Sequence, residues 1–173
     1  MSSNREFISL NLAILTISDS RTEADDTSGK VLVDRAKESG HQVIEKKIVT
    51  DDIYQIRAAI SNCIANQEIH AVITTGGTGV TGRDGTPEAI KPLLDKEIEG
   101  FGEMFRMISY DEIKTSALQS RAIAGVANAT YIFCLPGSSG ACKTGWDNII
   151  AEQIDHRTSP CNLAMLIPRL LER

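Results

Sequence analysis

The residues best suited to chemistry lie between Val72 and Ile90, VITTGGTGVTGRDGTPEAI. Gly76, Gly77, Gly79 and Gly82 follow an apolar run and two threonines. A glycine run of this kind lets backbone N–H groups turn toward one point. The sequence then predicts a helix with Thr86 as N-cap, Pro87 in its first turn and Ala89, Ile90, Leu93 and Leu94 on its apolar face, kept short or kinked by Pro92. A strand, a glycine loop and a helix N-terminus together favour an anion such as phosphate. Arg83 and Asp84 sit inside this loop. A carboxylate beside a phosphate cradle is explained by magnesium held on the phosphates, or by an acid that braces the loop against Arg83.

Two generic motifs fit less well. Gly77 to Gly82 matches the spacing of a dinucleotide fingerprint, but RDGT separates it from the helix that the fingerprint must open. Gly137 to Thr144 has P-loop spacing with Cys142 in place of the last glycine, and no later apolar strand ends in an aspartate.

The elements around these loops read as α/β. Leu12 to Ile17 has the continuous apolar character of a strand buried on both faces, and ends in Ser18, Asp19, Ser20 and Arg21. A helix follows with Val31, Leu32 and Ala36 inward and Gly40 as its stop; within DDTSG, capping accounts for at least one polar side chain. Val43 to Val49, carrying Glu45, Lys46 and Lys47, reads as an edge strand. Asp52 and Gln55 have capping-box spacing for the next helix, which leaves Asp51 without a capping role on the same presumed sheet edge as Asp84. Ile98 to Ile108 reads as a helix, Ala122 to Val126 and Thr130 to Leu135 as a hairpin turning at Asn128-Ala129, and a last helix starts near Ala141. The expected fold is a three-layer α/β/α sandwich with a mostly parallel central sheet and a small β-hairpin, in one domain over residues 1–173.

Composition narrows the class. Net charge is −5 with no block of Lys or Arg, so neither nucleic acid nor an anionic membrane is an expected partner. No apolar run approaches the roughly 20 residues that cross a bilayer, and the start, MSSNREFISLNLA, lacks the regions of a secretory leader. Cys63, Cys134, Cys142 and Cys161 show no metal or disulfide spacing and read as reduced structural thiols of a cytoplasmic protein. His41, His70 and His156 lack ligand spacing and read as surface or turn residues.

Several motifs in order, TISDS, DDTSG, TTGGTG, RDGTPEA, EGFGEMFR, QSR and LPGSSGACKTGWDNII, resemble the molybdenum cofactor biosynthesis family, which includes the molybdopterin adenylyltransferases. The resemblance covers the whole chain and implies that AMP from ATP is joined to the terminal phosphate of molybdopterin, releasing pyrophosphate. On the motif positions it implies Asp51 and Asp84 as catalytic residues and magnesium ligands. Substrate would be bound by Ser18, Asp19 and Ser20, by Gly76, Gly77, Thr78, Gly79 and Thr86, and by Pro136, Gly137 and Ser138. It also implies a homotrimer or homohexamer and other cofactor-assembly proteins as partners. LPGSSGA departs from the proline-containing loop of typical transferases, and a non-catalytic molybdopterin-binding or assembly protein is the alternative. From the residues themselves, the loops offer donors, carboxylates and cations but no covalent nucleophile, which suits nucleotidyl transfer.

Overall fold

The computed structural model describes residues 5–172; the first four residues of the N-terminal stretch and the last residue of the C-terminal tail lie outside it. Six strands form one sheet in the order β2-β1-β3-β6-β5-β4. They are β1 (Asn11–Ile17), β2 (Gln42–Val49), β3 (Ala71–Thr75), β4 (Lys96–Glu97), β5 (Ile123–Ala127) and β6 (Thr130–Leu135). The first three and β6 run parallel, whereas β5 and β4 join antiparallel. The expected hairpin is therefore part of the main sheet. Asn128 and Ala129 turn it at φ 47° and 64°, the positive pair that a two-residue hairpin loop requires.

Helices cover both faces, as the alternation of strand side chains demands. Leu12, Ile14, Ile73 and Phe133 face α1 (Thr27–Glu38), α4 (Glu99–Ile113) and the last helix. Ala13, Leu15, Val72 and Ile132 face α2 (Ile53–Ala65) and the short α3 (Thr86–Ile90), which tightens into a 3-10 turn at Pro92. The last helix, α5, starts at Ser139 and passes through a π turn at Trp146–Ile150 before ending at Gln153. Trp146 is the largest side chain in the core. The tail covers this core: Leu163, Ile167 and Leu170 pack on it, and the Tyr131 hydroxyl donates to the Leu163 carbonyl at 2.8 Å.

Helix starts follow their capping residues. Asp26 accepts from the Gly29 amide and Asp52 from those of Tyr54 and Gln55. Thr86 is not an N-cap, as its spacing suggested. Gly85 occupies that position, and the buried Thr86 hydroxyl instead donates to the Gly76 carbonyl at 2.9 Å. His41 also departs from expectation: it is buried and accepts from the Leu10 amide at 3.1 Å, and burial pulls its pKa down. Of the two glycines at the start of α4, Gly102 packs against the Ala122 carbonyl and Gly100 faces open space.

Because the Asp52 carboxylate satisfies two amides at the start of α2, Asp52→Ala is expected to cost about 1 kcal/mol of stability. Urea unfolding measures this, and an unchanged midpoint would show that water caps the helix equally well.

Candidate functional site

The strand order reverses beside β1. One crossover leads from β1 to β2 on one side, and the next returns to β3 on the other. In an open parallel sheet this leaves a crevice at the strands' C-terminal ends. A cavity of about 210 Å³ occupies the position, lined by Ser18, Arg21, Thr75, Gly76, Gly77 and Gly137 among others. Three loops, those that follow β1, β3 and β6, converge here.

The glycine loop is folded by its own constraints. Gly76 and Gly77 have φ of 108° and 68°, in the left-handed region where a side chain is strained. A Cβ on Gly76 would collide with the Ile17 carbonyl, and one on Gly77 with the Thr86 hydroxyl. Gly79 has no positive φ, but a Cβ there would lie 2.6 Å from the Asp84 carboxylate. A side chain is therefore excluded at Gly76 and strained at Gly77, and at Gly79 it would displace the Asp84 carboxylate. Thr78 is buried, whereas a Cβ on Gly82 would meet open space.

The carboxylates divide into two kinds. Asp84 Oδ2 accepts from the Thr81 amide at 2.9 Å and its hydroxyl at 2.6 Å, which holds the Asp84 pKa below the ordinary range. Asp84 therefore does brace its loop, but through Thr81. Arg83 points away to pair with Asp19. Asp19 also accepts from the Asp51 amide at 2.9 Å and is held low, first by that amide and then by Arg83. Asp51 is the exception. Its Oδ1 is buried with no hydrogen-bond partner and lies 3.3 Å from where a Gly77 Cβ would be. Burial, then the nearby Asp19, push its pKa up; Arg83 opposes this and Asp84 adds to it.

An orphaned buried carboxylate oxygen calls for an explanation, and a cation is the group that would satisfy it. Asp51, with Asp84 on the neighbouring glycine loop, fits magnesium, which takes one or two carboxylates and completes its shell with phosphate oxygens and water. Among the described residues no cluster of three or more His, Cys, Asp or Glu could hold a metal unaided. The fit is thus to a metal that arrives with a phosphate ligand.

The flanking loops carry their own bonds. Ser18 Oγ accepts from the amides of Ser20 and Arg21, leaving Asp19 and Ser20 exposed beside Asp51. Gly137 lies against the Gly76 backbone, and the Pro136 carbonyl accepts from Thr75 at 3.0 Å. Ser138 is the N-cap of α5, accepting from the Ala141 amide at 3.1 Å. Cys142 is buried below this loop, its thiol against the Thr75 hydroxyl at 3.2 Å and its pKa pushed up to about 11 by burial. The four cysteines are all free.

Sequence reasoning missed two supports. Asp26 is buried beneath the crevice, where Thr16, Gly29 and Lys46 all donate to it. Its position in DDTSG indicated capping but not the strand partner. Arg121 holds the glycine loop from behind, and no spacing rule linked QSR to that loop.

The chain is similar to known proteins over most of its length. Residues 13–156 match the family described as "Probable molybdopterin binding domain". Molybdenum cofactor biosynthesis protein B of Escherichia coli K12 is 58% identical over 157 residues, 91% of this chain and 92% of the relative. The protein of that name from Bacillus cereus is 47% identical, over 84% and 86%. A crystal structure of a molybdenum cofactor biosynthesis protein B superposes with a TM-score of 0.84 at 45% identity, covering 87% and 94% of the two chains. The tungsten cofactor synthesizing protein MoaB of Pyrococcus furiosus does so at 0.75 and 37%, covering 83% and 92%.

The geometry carries a stability prediction. An acid whose pKa is raised in the folded state stabilises below its unfolded value of about 3.8 and loses that contribution as pH rises through its folded value. At pH 7, without a divalent cation, Asp51→Asn should melt above the wild type. The gap should close as pH falls toward 4. A variant that melts lower at pH 7 would mean that the charged carboxylate is already satisfied.

Proposed function

This chain belongs to the molybdenum cofactor biosynthesis family of molybdopterin-binding domains, and from that premise we propose that it is a molybdopterin adenylyltransferase. A terminal phosphate oxygen of molybdopterin attacks the α-phosphorus of ATP, the bond from that phosphorus to the β-phosphate bridge breaks, and pyrophosphate leaves. The observation that carries this reading is Asp51, whose half-buried carboxylate keeps one buried, unpartnered oxygen, Oδ1, beside a glycine loop at the sheet's switch point.

The residues divide the work. The Gly77 and Thr78 amides bind phosphate, the Gly76 amide being taken by the Leu135 carbonyl and that of Gly79 by Asp84, with Thr86 holding the loop to α3. The attacking phosphate is already an anion and needs no protein nucleophile, so catalysis rests on alignment and charge compensation. Cys142, the one thiol near the third loop, suits no covalent role, being buried and shifted away from the thiolate. Asp51 and Asp84 would hold magnesium, which when bound neutralises phosphate charge and polarises the α-phosphoryl group. Free thiols fit a reducing cytoplasm, and no described helix is long and apolar enough to cross a membrane. Self-association belongs to the same proposal: Met107, Tyr110, Ile113 and Leu118 leave exposed apolar surface on α4 and the turn after it.

Binding without transfer is the second reading, favoured by Asp84, whose Oδ2 is engaged by Thr81, and by the LPGSSGA loop. Pyrophosphate release from ATP and molybdopterin separates the two. Transfer is expected from the wild type, with a loss of about 100-fold or more in Asp51→Ala and Asp84→Ala. Molybdopterin binding without pyrophosphate release would establish the binder. Gly79→Val, which pushes a side chain onto Asp84, should weaken molybdopterin or nucleotide binding in calorimetry while the fold survives.

A further inference from the structure

Arg121 stands just before β5, outside the three loops, yet most of its donors are directed at the glycine loop. Its Nε donates to the Gly79 carbonyl at 2.8 Å and one Nη to the Asp84 carbonyl at 2.7 Å. The other Nη pairs with Glu88 on α3. Its own amide reaches the Thr78 carbonyl at 3.3 Å. One residue thus grips three carbonyls of a ten-residue excursion and the helix that follows it. The guanidinium holds two of these carbonyls and Glu88 at once because its donors lie in one rigid plane, whereas an ammonium is a point charge on a flexible stem.

The direction of these bonds matters more than their number. In a trans peptide the C=O of one residue and the N–H of the next point opposite ways, and the only cis bond among the described residues is Ser159-Pro160. Fixing the carbonyls of Thr78, Gly79 and Asp84 on Arg121 therefore aims the amides of Gly79, Val80 and Gly85 away from it. The Gly79 amide lies on the Asp84 carboxylate and helps to keep it ionised. Val80 to Arg83 are exposed; the Thr81–Asp84 bonds brace the loop from within, and Arg121 and the Arg83–Asp19 pair tie it to the surrounding structure.

Resting on the transfer reading above, we propose that Arg121 is a positioning residue for the reaction, setting the glycine-loop amides and the Asp84 carboxylate in register with the α-phosphate. It touches neither substrate nor metal, and its side chain acts through two peptide planes. Its loss should leave substrate binding largely intact and misplace the reacting groups, and misplacement of about 1 Å costs on the order of 100-fold in rate.

The test compares Arg121→Ala, Arg121→Lys and Glu88→Gln in the full chain. Arg121→Ala should lower kcat for pyrophosphate release about 100-fold with the molybdopterin KM changed less than about threefold. Millimolar guanidinium chloride should restore at least about tenfold of that loss, and sodium chloride at equal ionic strength none, because only the former returns a planar donor to the site. Arg121→Lys should show a comparable loss, and carries the test if the alanine variant does not fold. Glu88→Gln keeps the carbonyl contacts and should retain at least half of the wild-type turnover. Amide ¹⁵N shifts provide a readout independent of catalysis: in Arg121→Ala those of Val80 and Gly85 should move while those of β1 stay. If the wild type releases no pyrophosphate, the transfer reading fails and these shifts alone decide whether Arg121 sets the loop. Wild-type kcat, unmoved loop amides, or a loss that guanidinium does not relieve and that follows a lowered melting temperature would overturn the positioning role.

Discussion

The contact on which the site depends is between the Gly76 backbone and the Ile17 carbonyl at the end of β1. No side chain fits between them. At φ 108° the chain leaves β3 at an angle that an L side chain rarely adopts. That departure sends the loop across the neighbouring strand and puts Gly77 beside both Asp51 and Thr86. The Thr86 hydroxyl returns a bond to the Gly76 carbonyl, so the entry to the loop and the start of α3 fix one another. The crevice, the amides that face it and the short helix behind it are consequences of two backbones in close approach.

The charges are arranged so that one acid stays unsatisfied. Arg83 is near enough to Asp51 to lower its pKa somewhat, but its partner is Asp19. Asp84 is engaged by Thr81. Asp51 is left with a buried oxygen, under repulsion from Asp19 and Asp84. Unpartnered buried polar atoms are costly, and a fold that keeps one at its switch point gives up stability there. Such a group is compensated when a ligand supplies the missing partner. This is the physical content of the transfer reading, and it accounts for the division between Asp51 and its neighbour Asp52, whose Oδ1 caps α2 through two amides.

Much of this was legible in the sequence, for physical reasons. The parallel core strands announce themselves because burial on both faces demands unbroken apolar runs, as in β1 and β6. β2 declared itself an edge through Glu45, Lys46 and Lys47. Asp51 stood out by elimination once Asp52 was seen to have capping spacing. What escaped notice depends on tertiary partners. The two residues of β4 have no pattern of their own and exist by pairing with β5. Thr86 looked like a cap because its alternative partner, the Gly76 carbonyl, is ten residues away. His41 reads as a turn residue until the Leu10 amide is placed against it. Arg121 was visible as part of a motif, but its action lies in bonds to carbonyls, which carry no residue identity.

The central claim, that Asp51 is held in want of a cation, is tested most directly by titrating its carboxyl carbon by ¹³C NMR. In the free protein the account predicts a midpoint above the ordinary aspartate value of 3.8, and a fall in that midpoint when magnesium and ATP are added together. A midpoint at or below the ordinary value in the free protein, unmoved by magnesium and ATP, would contradict it.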